Sequence, residues 1–217
     1  MAWAPNYASI DQLREYVRID DVLDDEFLTM ALAAASRAID HACDPRPGHA
    51  RQFGRTDTVQ ERYFTAVRRG YAAAVVDQWI VPVDDIALAQ DVVVALDLGE
   101  TGLYDTTVTG FTLLPRNAAA QGWPWQEIGL AGSSCPVPSP LAEAVRVSAT
   151  WGWPEIPEAI TQACLLQASR LLSRRDAPFG TAGSPETGSE LRLLARIDPD
   201  VETTIRGYVR RIGTVLA

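Results

Sequence analysis

The chain has 217 residues, is 47% hydrophobic, and carries 28 acidic against 19 basic residues for a formal net charge of −9. That length supports one sizeable core or two smaller ones. The charge excludes a general nucleic-acid binder, which needs a basic footprint to displace counterions from phosphates.

The first zone reads as helical. Ser9, with Gln12 three residues on, forms a capping-box pattern that opens a short helix through Leu13, Tyr16 and Val17. Asp24 then caps a longer helix in which Leu28, Ala31, Leu32, Ala35, Ile39 and Ala42 recur at three- and four-residue spacing. The "DPRPGH" run at 44–49 stops it. From about Tyr63 to Gly152 the pattern changes to strands: "DVVVAL", "YDTTVTGFTLL" and "AVRVSATW" are β-branched and bounded by turn residues. In the last, Val145, Val147, Ala149 and Trp151 alternate with Arg146, Ser148 and Thr150, as in a half-buried strand. "DLGETG" at 97–102 is a hairpin-turn candidate.

The third zone returns to helix. Pro157 suits a first helical turn, and Ile160, Cys164, Ala168, Leu171 and Leu172 make an apolar stripe that ends at Pro178. A last helix opens at Asp198 and Pro199 and is expected to run through "DPDVETTIRGYVRRI". The fold class expected from this order is α+β. It is a helical bundle built from the N- and C-terminal segments, 1–58 and 153–217, with an inserted β-rich domain at 59–152.

No active site assembles from these residues. His41, Cys43 and His49 form the one close group of metal-ligand types, but residues two apart on a helix diverge and no fourth ligand is evident. Two histidines in the whole chain make a nucleophile–histidine site a poor prospect. The acidic run from Asp20 to Glu26 is what a helix N-terminus favours, and Arg174 and Arg175 are what a helix C-terminus favours. "GLAGSS" lacks the lysine of a phosphate loop. Trp123, Trp125, Trp151 and Trp153 flank prolines and are expected to pack at a β–helix junction. The three cysteines lack paired spacing, which predicts a reducing compartment without a disulfide framework. No export signal or membrane-spanning run is visible. The basic residues are all arginine, which a GC-rich coding sequence explains most simply. The expectation is a protein that is not an enzyme and binds no cofactor or metal.

"YASIDQLREYVRIDDVLDDEFLTMALAAASRAID" resembles the N-terminal helices of phage head–tail connector (adaptor) proteins. "WGWPEIPEAITQACLLQASRLLSRRDAPFGTAG" and "LARIDPDVETTIRGYVR" resemble the C-terminal half of adaptors from siphophages of actinobacteria, and "FTLLPRNAAAQGWPW" looks like their β region. The resemblance implies a virion protein of the head–tail neck, assembled in the host cytoplasm as a ring of about twelve copies closed by head-to-tail contacts. Its implied partners are the portal protein, a tail-side neck or tail terminator protein, and further copies of the chain. Genomic DNA would pass through the lumen without sequence-specific binding and without a membrane being involved. Arginine forks pair well with carboxylates across interfaces. The residues expected at a subunit or portal interface are therefore Arg170, Arg174, Arg175, Asp176, Phe179, Arg206, Tyr208, Arg210 and Arg211. The competing expectations are another neck or head-completion protein, an acidic DNA mimic, or an enzyme with an unrecognised site.

Overall fold

The computed structural model describes residues 4–18, 25–69, 78–130, 136–139, 141–176, 181–182, 191–192 and 197–210. They fall into two compact units. One comprises the chain up to Phe53 and from Ile156 onwards, and the other comprises Gly54–Glu155.

The first unit is helical. Helix α1 (Ile10–Val17) opens on the Ser9 capping box, with the Ser9 side chain accepting from the Gln12 amide and the Gln12 side chain from the Ser9 amide. Helix α2 (Asp25–Cys43) buries Leu28, Ala31, Leu32, Ala35 and Ile39, and on the same side Ser36 and Asp40. Helix α3 (Glu158–Asp176) buries Ile160, Ala163, Cys164 and Ala168, while Leu171 and Leu172 are half-buried. Helix α4 (Pro199–Ile205) has Asp198 as its cap and buries Val201 and Ile205. The expected longer run stops there. A single 3-10 turn (Arg206–Tyr208) follows and Val209 is extended, so that the Arg210 amide reaches the Cys43 carbonyl at 2.8 Å instead of continuing a helix. Gly207 in that turn lowers helix propensity where the chain departs.

The second unit is built from short antiparallel strands: β1 (Gln60–Phe64), β2 (Val67–Arg69), β3 (Gln78–Ile86), β4 (Val93–Leu96), β5 (Thr106–Val108), β6 (Phe111–Leu114), β7 (Trp125–Leu130) and β8 (Val145–Ala149). They form two four-stranded sheets, β1-β8-β4-β5 and β2-β3-β7-β6. Only Thr65 and Ala66 separate β1 from β2, and only Thr109 and Gly110 separate β5 from β6. The chain thus passes between the two sheets at β1–β2 and again at β5–β6 through two-residue connections. The interior holds Val81, Val83, Ile86, Val94, Leu96, Val108, Ile128, Leu130, Val145, Val147, Ala149 and Trp151. In the first unit, two further two-residue strands, β9 (Thr181–Ala182) and β10 (Leu191–Arg192), pair with each other.

The expected class, a helical bundle with an inserted β domain, is corrected. Among the described residues the protein is built on two four-stranded antiparallel sheets together with four helices. The reason is quantitative. Two of the helices have only 8 and 7 residues, so only α2 and α3 are long enough to run along each other. The described residues of the middle of the chain meanwhile form eight strands around a core of their own.

Candidate interface site

The described residues among those expected at an interface sit on the last turns of α3 and on the chain that follows α4. Arg170 pairs with Asp198, and Gln167 accepts from the Asp198 amide at 3.3 Å. Asp198 in turn accepts from the Asp200 amide at 2.8 Å. One carboxylate thus caps α4 and ties it to α3, and Arg170 is committed to that tie. Arg174, one turn on, is half-buried. Arg175 and Asp176 lie in the final turn of α3. Their side chains, together with Phe179 and Arg211, fall outside the described residues.

Past α4, Arg206 is exposed. The Tyr208 ring meets Phe53 edge-on at 5.9 Å, and its carbonyl accepts from Arg51. Arg210 is 9% exposed and stands 3.6 Å from the Asp44 carboxylate, which Arg46 also engages at 2.6 Å. Burial pushes the Asp44 carboxyl up, but the hydrogen bonds and charge of Arg46 and the charge of Arg210 outweigh it and hold it below the usual range. Of the nine expected residues, Arg170 and Arg210 are thus brought into ion pairs of their own unit. Arg206 presents its side chain outward.

The other sequence candidates disperse. His41 is exposed, with its Nδ1 3.3 Å from the His49 carbonyl, whereas Cys43 is fully buried. No three His, Cys, Asp or Glu side chains come together as a metal site among the described residues. In the run from Asp20 to Glu26, residues 20–24 lie outside the described residues, and Asp25 pairs with Arg14. In "DLGETG", the Asp97 carboxylate accepts from the amides of Thr101 and Gly102 at 3.1 and 2.6 Å, folding the loop on itself. Trp153 donates from its indole to Asp85 at 3.2 Å and packs on Trp123 at 4.9 Å. Trp151 donates to the Gln60 carbonyl at 2.8 Å, and Arg62 lies 4.7 Å over its ring.

The most concentrated polar chemistry was not singled out in the sequence. Tyr7 donates its hydroxyl to Asp40 inside the helical unit, and Arg37 stands 3.0 Å from the second Asp40 oxygen. Burial pushes the Asp40 carboxyl up to about 6, against the opposing effects of Tyr7, Arg37 and His41. The signal was present: Leu32, Ser36 and Asp40 follow one another at four-residue spacing, so Asp40 continues the buried stripe.

No protein-family model matches the chain, and no curated protein matches it as a relative. Among the described residues no helix is long and apolar enough to cross a membrane.

Proposed function

We propose that the protein is a structural component of the phage neck. In this reading it is a ring-forming head–tail adaptor that docks under the portal protein, surrounds the DNA passage and offers a platform to a tail-side neck or tail terminator protein. One observation carries the reading. The two sequence stretches that resemble adaptors lie more than a hundred residues apart, yet α1 and α2 from the first pack against α3 and α4 from the second in one unit.

The chemistry is consistent with a non-enzymatic role at a DNA passage. A net charge of −9 withholds the phosphate contacts that would hold DNA in place. A ring closed head to tail needs two different complementary surfaces on each copy. The half-buried Arg174 and the exposed Arg206 supply cationic groups for one of them, and an acidic surface of the next copy supplies the other.

Immunogold labelling of purified virions tests the proposal. Label at the head–tail junction supports it, whereas label confined to the capsid shell or tail tip, or to non-virion fractions, overturns it.

A further inference from the structure

The N-terminal segment Pro5–Ala8 is strapped onto the helical unit by a buried polar cluster. Arg37 Nη2 donates to the Pro5 carbonyl at 2.6 Å, and the Tyr7 amide donates to Ser36 Oγ at 3.2 Å. The Tyr7 hydroxyl donates to Asp40 and accepts from the Phe53 amide at 3.0 Å. Its ring meets Phe53 edge-on at 5.7 Å and lies 5.8 Å from the Arg37 guanidinium. Beneath the strap, Ser36 Oγ is 3.4 Å from Cys164 Sγ on α3. The Asp40 side chain is 1% exposed, while that of its ion-pair partner Arg37 is 31% exposed.

We propose that this cluster is a proton-operated latch: the strap closes firmly over α2 and α3 when Asp40 is protonated, and loosens when its carboxyl ionises. With the strap in place, the carboxylate is shut away from water, with one partly solvated cation and one hydroxyl to compensate. Lifting Pro5–Ala8 removes the Tyr7 ring and hydroxyl and returns the carboxylate to solvent. The closed state therefore disfavours the charge and the open state accepts it, so protons favour closure by linkage.

The surrounding groups fit one titrating centre. The hydrogen bond from Tyr7 and the charges of Arg37 and His41 favour the ionised carboxyl, but burial outweighs them. The Tyr7 hydroxyl is raised by burial and by Asp40, so it remains a donor throughout the range concerned. Burial also pushes the Cys164 thiol up, so it stays neutral beneath the strap. Arg51 contributes its amide, which donates to the Asp40 carbonyl at 3.0 Å. Asp44, just past the end of α2, is engaged by Arg46 and Arg210. This latch is independent of the assembly reading.

Amide hydrogen exchange of Tyr7 and Phe53 in the full chain, corrected for intrinsic rates and measured in 0–1 M urea, tests the latch. The expected result is a local opening insensitive to urea, with about tenfold greater protection at pH 5 than at pH 7.5. Asp40→Asn should abolish that pH dependence. Equal protection at the two pH values, or exchange of both amides only through urea-sensitive global unfolding, overturns the proposal. Should the Asn variant fail to fold, side-chain carbonyl ¹³C titration of wild-type Asp40 decides. A midpoint near pH 6 supports the latch, and one in the ordinary carboxylate range overturns it.

Discussion

Gly152 lies so close to the backbone of Gly54 that a Cβ on it would stand 1.8 Å from the Gly54 carbonyl oxygen, and its φ is +104°. Both restrictions fall on the same residue, so the backbone of Gly54 would have to move for any side chain to fit. The neighbouring amides are engaged as well: Gly152 donates to the Asp85 carbonyl at 2.7 Å and Thr56 to the Trp151 carbonyl at 2.8 Å. Gly152→Ala should cost about 2–4 kcal/mol through strain and the broken close approach. Urea unfolding checks this, and an unchanged midpoint would show that the approach is not required.

Trp151 fixes the β unit from inside, at 1% exposure, with Phe64 5.5 Å away. Trp151→Ala should destabilise by about 3–5 kcal/mol, as for other large core truncations. Arg62→Ala removes only a partly exposed cation over the ring and its pair with Asp84, and should cost about 1 kcal/mol. Chemical unfolding of the two variants should rank them in that order.

Much of the local structure was legible because it depends on near neighbours. Ser9 and Gln12 gave the α1 cap, the spacing from Leu28 to Ile39 gave the α2 face, and the alternation from Val145 to Trp151 gave β8. Strand β3 was obscured by Pro82, Asp84 and Asp85. The structure places Pro82 outward and shifts the register between it and Ile86, where the missing amide costs least. The pairing of β1 with β8 and of β3 with β7 joins strands far apart in the chain, which no local pattern encodes. The Tyr7–Asp40 contact spans 33 residues and was hidden for the same reason. At the candidate interface, the arginines were visible but their partners were not: Asp198 and Asp44 claim Arg170 and Arg210 only after the chain has folded.

Asp40 in the last turn of α2 and Asp44 just beyond its end should respond oppositely to acid. The folded pKa of Asp40 is raised, so protonation favours the fold, and stability should rise by about 1–2 kcal/mol between pH 7.5 and pH 5. Asp44 is lowered, so its contribution is present above the ordinary carboxylate pKa and is lost as pH falls through its folded value. Asp40→Asn should flatten the first change and Asp44→Asn the second. Urea midpoints across pH 3–8 check both. A rise that survives in Asp40→Asn would assign it to another group.

Tyr7→Phe removes the donor to Asp40 and the acceptor for the Phe53 amide together. The cost should be about 2–4 kcal/mol at pH 7.5. It should be smaller at pH 4, where the neutral carboxyl no longer needs that hydrogen bond. An equal cost at both pH values would separate the hydroxyl from the charge of Asp40.

Charge reversal separates folding from assembly at the end of the helical unit. Arg170→Glu attacks the α3–α4 tie through Asp198 and should lower the melting temperature. Arg206→Glu acts on an exposed side chain and should leave it nearly unchanged. Combined with Arg174→Glu, it should abolish ring formation if these arginines face a neighbouring copy, because losing one member of a desolvated pair costs about 2–5 kcal/mol. Rings formed at normal yield by a folded double variant would remove both residues from the interface.

The central claim, a ring-forming neck adaptor, is tested most directly by mixing the purified chain with its cognate portal protein. Native mass spectrometry and negative-stain imaging then read the product. The account expects a closed ring of about twelve copies seated on one face of the portal. A chain that stays apart from the portal at concentrations where the portal itself is intact, with no ring of any size, would contradict it.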